Sequence, residues 1–131
     1  MSLDTHHADS YLLGENQLPT RENIELFEAA AEGNYHRVKH LLQTGAKPNY
    51  FYRPEDQKNS LHIASLKGYL DIVEILIQHG AAVNSIASTD QATALIYAAQ
   101  QGHAEVAQKL LSHGANIEAG YRFIFYFSIL I

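Results

Sequence analysis

Apolar residues recur at helical spacing in the middle of the chain. Leu70, Val73, Leu76 and Ile77 fall on one face of a helix with about 3.6 residues per turn. The stretch ends at Gly80, and glycine often ends a helix because it adopts a left-handed backbone at little cost. The pattern therefore predicts an amphipathic helix that ends near this glycine.

The same pattern occurs three times along the chain. Residues 24–49, 59–84 and 93–118 align without a gap, at a period of 35 and then 34 residues. In each copy an Ala-rich stretch ends at a glycine, and twelve residues later a second glycine precedes an alanine (Gly33 and Gly45, Gly68 and Gly80, Gly102 and Gly114). Each copy predicts a short helix that ends at the first glycine, and a second helix after it. Two such helices cannot bury their apolar faces alone, so the copies must stack.

The first helix of each copy has a recognisable start. Asn59 and Thr93 are residues that cap helices, whereas the first copy has Ile24 at the matching position. We therefore expect the first helix of that copy to begin earlier, near Thr20, with acids along its outer side. A polar outer face suits a terminal repeat. Small residues in these first helices would let neighbouring copies approach closely (Ala29, Ala30, Ala64, Ala98 and Ala99).

These copies resemble ankyrin repeats. The family's Thr-Pro-Leu-His-x-Ala opening corresponds to Asn59-Ser60-Leu61-His62-Ile63-Ala64 and Thr93-Ala94-Leu95-Ile96-Tyr97-Ala98. Its Gly-His motif corresponds to Gly102-His103, and its His-Gly-Ala ending to residues 79–81 and 113–115. The resemblance covers residues 20–118. The chain departs from the pattern where Ser60 and Ala94 replace the proline, and where Gln57 and Gln91 replace the glycine that precedes the cap.

The resemblance implies an all-α solenoid of stacked helix-turn-helix units, with β-hairpin-like finger loops between them. We expect a flexible segment over residues 1–19 and a repeat domain over 20–119, with repeats at about 20–49, 59–84 and 93–118. Residues 120–131 form an apolar tail with three interpretations. It is the start of a truncated fourth repeat, which we favour, or a tail that folds over the third repeat, or the product of an incomplete gene model. In each case its apolar alternation permits homo-association through this end.

Composition narrows the classes of function. The chain has 131 residues, enough for one domain, and no cysteine for disulfide or thiolate chemistry. Residues 1–33 carry a net charge of −6 and the remainder +1, without the basic stripe of a nucleic-acid-binding protein. The N-terminus lacks the pattern of a secretory signal, and no apolar run is long enough to cross a membrane. We therefore expect a protein of the cytoplasm or nucleus that contacts neither nucleic acid nor membrane.

The histidines and acids do not indicate an active site. His36 and His40 have a spacing that can hold zinc, but Arg37 and Lys39 between them would oppose a cation, so we predict no metal site. At His62, His79, His103 and His113 the resemblance implies structural roles in helix capping and inter-repeat hydrogen bonds. No phosphate-binding loop, nucleophile motif or carboxylate pair is present, so we expect neither an enzyme nor a cofactor.

Partner binding is the better-supported function. The first finger is the loop of residues 50–58 and the second finger that of residues 85–92. Both insertions relative to the family's period fall in these fingers, where such insertions often mark a binding face. The first finger contains three consecutive aromatic residues beside an arginine, residue types that are enriched at binding hot spots. The predicted partner-binding residues come from this finger and from the inner helices: Tyr50, Phe51, Tyr52, Arg53, Ile63, Leu66, Lys67, Tyr97, Gln100 and Gln101. The aromatic residues could instead pack on the neighbouring finger, at least on one of their two faces.

The predicted function is a non-catalytic adaptor or scaffold that binds another protein in a preformed groove. Lys58, Lys67 and Arg53 favour an acidic or mixed-charge peptide as the partner. The alternatives are a fragment or targeting portion of a larger ankyrin-containing enzyme or channel, and a self-assembling unit that uses its apolar end. The resemblance also implies hydroxylation of Asn49 and Asn84, each of which follows a leucine by eight residues.

Overall fold

The computed structural model describes residues 20–50, 57–87 and 90–117, and within them the protein is built from helices. Six helices form three pairs: α1 (Arg21–Glu32) with α2 (Tyr35–Gln43), α3 (Ser60–Lys67) with α4 (Leu70–Gln78), and α5 (Ala94–Gln100) with α6 (Ala104–Ser112). No strand occurs in these ranges. The predicted all-α fold class, with one helix pair per copy, is confirmed.

The first helix of each pair begins where the sequence predicts. The Thr20 side chain accepts a hydrogen bond from the backbone N–H of Asn23, so α1 starts ahead of Ile24 as expected. Asn59 caps α3 and Thr93 caps α5 in the same way. These side chains satisfy N–H groups that have no partner inside the helix.

The ends of these helices also follow the glycines. Gly33 and Gly68 adopt left-handed backbone conformations with φ of 76° and 79°. Helix α5 differs slightly, because it ends at Gln100 and Gln101 is its C-cap. Nevertheless the N–H of Gly102 donates to Ala99 O, the same bond that the two earlier glycines make, so the turn is equivalent.

The helices form two layers. Helices α1, α3 and α5 pack side by side as an inner layer, and α2, α4 and α6 form the outer layer behind them. Between the layers lies a core of fully buried aliphatic side chains: Leu26, Val38, Leu61, Ile72, Val73, Leu76, Leu95, Val106 and Leu110. Four of the five small residues predicted to permit close approach are completely buried, and Ala99 is half-buried. The stacking inferred from the short helices is therefore observed.

Adjacent repeats interlock at the glycines. The ring of Tyr69 covers Gly33, and the ring of His103 covers Gly68 so closely that an added Cβ would lie 2.5 Å from His103 Nδ1. The Nε2–H of His103 also donates to Leu66 O at 3.0 Å. This contact gives His103 the inter-repeat role that the sequence predicts for it.

The first helix pair is polar at positions that the other two pairs bury. In the repeat alignment, Glu25 occupies the position of Ser60 and Ala94, both buried, and Arg37 occupies that of Ile72 and Val106. The Arg37 Nη2 lies 3.6 Å from Glu25 Oε2, and Glu25 also pairs with Arg21 at 3.1 Å. Charged side chains thus stand where the later repeats bury a face against the repeat before them, which is the expected character of a terminal repeat.

Several predictions lie outside the described residues: the segments 1–19 and 120–131, and the finger residues Phe51, Tyr52 and Arg53. Within the described ranges, no helix is long and apolar enough to cross a membrane. The same ranges contain no cluster of three or more His, Cys, Asp or Glu side chains that could hold a metal ion.

Candidate functional site

The exposed side of the inner layer brings five of the ten predicted binding residues together. We define this inner face by residues at equivalent positions of α1, α3 and α5: Glu28, Glu32, Ile63, Leu66, Lys67, Gln100 and Gln101. Lys67, Gln100 and Gln101 are exposed, whereas Ile63 and Leu66 are half-buried. Because α3 packs against both neighbours, its side chains lie at the centre of this face.

An apolar platform occupies the middle of the inner face. Leu66 packs on a small buried cluster that is separate from the main core and consists of Ala87, Ala92, Ile96 and Tyr97. Ile63, one turn earlier on α3, packs on the main core. Both side chains are therefore held from below while their upper surfaces remain accessible. A half-buried apolar pair of this kind can receive an apolar side chain of a partner.

Tyr97 lies beneath this platform and not at the surface. Its side chain is only 3% exposed, so its ring is not accessible to a partner in this structure. Its hydroxyl donates to the Asp90 carboxylate, whose two oxygens lie 2.9 and 2.8 Å away. The Lys58 ammonium lies over the ring, 5.5 Å from its centroid. Tyr97 therefore supports the second finger, a role that a buried hydroxyl in need of a partner could have suggested.

His62 holds the other end of the same finger. Its Nδ1 accepts from the N–H of Asn59 at 3.1 Å, and its Nε2–H donates to Ser85 O at 2.8 Å. Its ring also meets Tyr97 edge to face, with centroids 5.7 Å apart. Together, His62 and Tyr97 attach the start and the end of the second finger to two neighbouring inner helices. The capping role expected for His62 is confirmed, and its second hydrogen bond reaches the loop between the second and third repeats.

Asp90 is the charged member of this attachment. Its partial burial by itself raises the pKa of the carboxyl, but the hydrogen bonds from Tyr97 and from the Ala92 N–H, together with the nearby Lys58 charge, lower it below its ordinary value. Asp90 is therefore ionised throughout the neutral range and accepts these hydrogen bonds as a carboxylate. Sequence reasoning did not identify it, because an aspartate in a polar loop has no distinctive pattern.

The second finger also exposes an apolar residue that was not predicted. Ile86 is 51% exposed, although the loop around it is polar. In the repeat alignment it occupies the same position as Phe51 of the first finger, 35 residues earlier. Neighbouring Ala87 is fully buried and its N–H donates to Ala92 O at 2.9 Å, as at the base of a hairpin. The register of the repeats was the signal that could have identified Ile86.

Two asparagines connect each repeat to the next. The Asn49 side chain accepts from the Ala82 N–H at 2.7 Å and donates to Gly80 O at 3.0 Å. Asn84 makes the same two bonds to Asn116 and Gly114. Both residues are exposed, and their hydroxylation stays a prediction. Tyr50, which follows Asn49, is half-buried at the start of the first finger.

Two shallow clefts of about 320 and 330 Å³ lie on the other side of the molecule. They are lined chiefly by residues of α4 and α6, such as Glu74, Glu105 and Lys109. An ion pair of 3.5 Å joins Lys109 to Glu74 at one of them. Neither cleft includes a residue that was predicted to bind a partner.

The comparisons with known proteins agree with the repeat architecture. The family described as "Ankyrin repeats (3 copies)" matches residues 26–120. The match therefore begins within α1 and covers the other five helices, including the inner face and both attachments of the second finger.

Similar stretches occur in much longer proteins. The chain is 34% identical to Serine/threonine-protein kinase 12 of Arabidopsis thaliana over 61 residues. These aligned residues make up 47% of this chain and 13% of that protein. It is 41% identical to Dynein axonemal heavy chain 12 of Bos taurus over 59 residues. That alignment covers 45% of this chain and 15% of that protein. It is 31% identical to Histone-lysine N-methyltransferase EHMT1 of Mus musculus over 67 residues, an alignment that covers 51% of this chain and 5% of that protein. The matched stretches are thus small parts of these relatives.

Proposed function

Because the chain belongs to the ankyrin-repeat family, we propose that it is a non-catalytic module that binds a partner protein through the inner face and the adjoining fingers. Ankyrin repeats are in general protein-interaction modules. The observation that carries the proposal is the platform of Ile63 and Leu66, which is packed from below and accessible from above. An anchor of this kind, surrounded by polar side chains such as Lys67 and Gln101, has the composition of a binding site.

Preorganisation would supply much of the affinity. The platform rests on two packed helices, and the second finger is attached at Ser85 and at Asp90. A partner would therefore order few side chains on binding, which lowers the entropic cost of association. Tyr50, Phe51, Tyr52 and Arg53 are proposed as further anchors from the first finger, in line with Ile86 of the second.

The proposal is tested by capturing partners with two variants of matched chemistry. The first changes Lys67, Gln100 and Gln101 of the inner face to alanine. The second changes Lys39, Gln78 and Gln108, which are exposed on the outer helices, to alanine as well. Both lose one lysine and two glutamines, so net charge and composition stay equal. Proteins retained from a lysate of the source cell are quantified by mass spectrometry, after circular dichroism has shown equal helicity.

We expect the inner-face variant to lose partners that the wild type and the outer variant both retain. A third variant, Tyr50→Ala with Leu66→Ala, should lose the same partners because it removes two proposed anchors. If the outer variant loses them and the inner variant keeps them, binding takes place on the opposite side and the proposal is wrong.

A second candidate is that the chain acts as the interaction portion of a longer polypeptide. It is favoured by the relatives, in which the matched stretch makes up between 5% and 15% of the protein. An antibody raised against residues 93–117 would distinguish the two on a denaturing gel of source-cell extract. A band much larger than 14.6 kDa supports the longer polypeptide, and a band at that mass supports the separate module.

A further inference from the structure

The inner face has an uneven distribution of charge, which narrows the class of partner. Building on the proposed function, we propose that this face selects an extended peptide segment in which a lysine or arginine lies close to an apolar anchor residue. The anchor would rest on Ile63 and Leu66 of α3. The basic side chain would face Glu28 and Glu32 of α1, the neighbouring helix.

The two glutamates are available to a partner. Glu28 and Glu32 are exposed, and no residue in the described part of the chain forms an ion pair with either of them. Glu25, on the same helix, is already engaged by Arg21 and Arg37. Of the four acids of α1, Glu25 is therefore ion-paired, whereas Glu22, Glu28 and Glu32 are exposed.

Register places these glutamates beside the apolar platform. In the repeat alignment, Glu28 is equivalent to Ile63, and Glu32 is equivalent to Lys67. Since α1 and α3 pack side by side, equivalent positions are separated by about 8–10 Å, the usual distance between packed helix axes. An extended peptide advances about 3.3 Å per residue. A basic residue two or three positions from the apolar anchor would therefore span the two helices.

The lysines near the platform do not offset this acidity. Lys58 is half-buried, and its ammonium lies over the Tyr97 ring beside the Asp90 carboxylate. Lys67 is the exposed lysine of the inner face, and it stands one helix away from the glutamates. The described part of the face is therefore negative on α1 and mildly positive on α3. This arrangement favours a basic residue in the partner, where the sequence alone favoured an acidic or mixed-charge one.

Exposed glutamates on α1 could serve only to keep the helix solvated. The positions of Glu28 and Glu32 in the repeat alignment favour a binding role instead. In the repeat alignment, Glu25 takes the position of the buried Ser60 and Ala94, whereas Glu28 and Glu32 take the positions of the platform residue Ile63 and of the exposed Lys67. The excess of acids over bases in residues 1–33 adds a long-range attraction for a cationic segment.

A random peptide library displayed on phage tests the inference without a known partner. The intact chain is the bait, and the enriched peptides are synthesised and measured by fluorescence anisotropy. We expect the enriched sequences to carry lysine or arginine two or three residues from a large apolar residue. Glu28→Lys with Glu32→Lys should weaken their binding by about fivefold at low salt, and the difference should shrink at high salt, because exposed ion pairs are modest and screened.

The control variant, Asp71→Lys with Glu105→Lys, reverses the charge of two exposed acids on the outer helices. Its net charge therefore equals that of the variant reversed at Glu28 and Glu32. It should bind the peptides as the wild type does. If reversal at Glu28 and Glu32 lowers helicity, the neutral pair Glu28→Gln with Glu32→Gln replaces it, with a smaller expected loss.

The outcomes separate this inference from the function on which it rests. Peptides that lose binding to the alanine variant of Lys67, Gln100 and Gln101, yet bind the reversed and control variants equally, overturn the charge preference and leave the binding face in place. Peptides that are insensitive to both inner-face variants overturn the binding face as well. A library that yields no binding peptide contradicts both proposals.

Discussion

Ser65 carries a hydroxyl group into the interior of the inner layer. It is 0% exposed, and its Oγ has no hydrogen-bond partner among the described residues. The equivalent positions of the first and third repeats are alanines, Ala30 and Ala99. A buried polar group without a partner costs about 1–3 kcal/mol. The repeats themselves thus show which residue fits this space.

Ser65→Ala should therefore stabilise the protein. We expect the free energy of unfolding to rise by about 1 kcal/mol, because the substitution removes the unsatisfied hydroxyl and leaves no large cavity. Urea denaturation followed by circular dichroism measures the change. Ser112→Ala is the control, because Ser112 is exposed and its hydroxyl donates to Lys109 O at 2.7 Å. Equal or lower stability for Ser65→Ala would indicate that the hydroxyl is satisfied in solution.

Two glutamines occupy a backbone conformation that suits glycine. Gln57 and Gln91 have φ of 47° and 59°, and they stand where the family pattern has glycine. A left-handed conformation costs a residue with a side chain about 1–2 kcal/mol. Each glutamine in place of glycine therefore strains the backbone locally, two residues ahead of the helix caps Asn59 and Thr93.

Gln91→Gly should relieve this strain. The gain is reduced by the greater freedom of glycine in the unfolded chain, so we expect a net stabilisation of about 0.5–1 kcal/mol. The matched control is Gln101→Gly, because Gln101 has φ of −92° and gains nothing from glycine. Thermal unfolding should raise the midpoint for the first variant and lower it for the second. The same sign for both would contradict the strain argument.

At the level of single elements, the second finger depends on side chains from two inner helices. Tyr97 reaches it from α5 and His62 reaches it from α3. Such long-range attachments let a loop keep a defined shape without regular secondary structure. We therefore expect Ser85 and Asp90, near the two ends of the finger, to be held in place before any partner binds.

Tyr97→Phe should loosen the end of this finger while leaving the ring in place. The lost bond reaches a charged but solvent-exposed carboxylate, so we expect a cost of about 1 kcal/mol. Amide hydrogen exchange should become faster at Ala92 and unchanged at Ala46, which lies in the preceding loop. Unchanged exchange at Ala92 would show that Asp90 is held by other contacts.

The pKa of Asp90 provides a second measurement on the same variant. Because its folded-state pKa lies below the ordinary value, the carboxylate contributes stability above that value and loses it as the pH falls through the folded-state pKa. Without the Tyr97 hydroxyl, the pKa should rise. An NMR titration of the side-chain carboxyl in the two proteins gives the direction of the change.

At the level of the whole molecule, the first helix pair carries charge where the other two pairs are buried. Replacing Glu25 by alanine and Arg37 by isoleucine would give its end the apolar character that the other two repeats bury. We expect the double variant to self-associate, because an exposed apolar face favours contacts between copies. Sedimentation velocity at increasing concentration would detect larger species.

The matched variant for this comparison is Glu105→Ala with Lys39→Ile, in which both residues are exposed in the outer layer. It has the same loss of one acid and one base, and it should sediment as the wild type does. Similar behaviour of the two double variants would mean that the end of the stack has no special role.

Much of the fold could be predicted because each rule acts within one repeat. Cap residues, glycines and apolar spacing are local, so they identify the helix pairs, and three copies in register require a stack. The early start of α1, which Thr20 caps, followed from the misfit of Ile24 at the cap position. These features depend on few distant contacts.

The site was less predictable because it depends on contacts between repeats. An aromatic residue on an inner helix has the same sequence pattern whether it faces a partner or a loop, and the hydrogen bond to Asp90 decides that Tyr97 is buried. Likewise, Leu66 is a proposed anchor because it packs on a cluster that Ala87 and Ala92 of the second finger form with Ile96 and Tyr97 of α5. Lys58 is also half-buried, and its ammonium lies over the Tyr97 ring, a contact between neighbouring repeats that the sequence pattern does not show.

Contact between partners and the inner face can be measured directly by photocrosslinking. A photoreactive amino acid placed at position 100, on the exposed inner surface, and at position 108, on the exposed outer surface, compares two glutamine sites with similar exposure. After irradiation in source-cell lysate, crosslinked products are resolved by mass and identified. We expect protein adducts from position 100 and none from position 108. Adducts from position 108 alone would contradict the account.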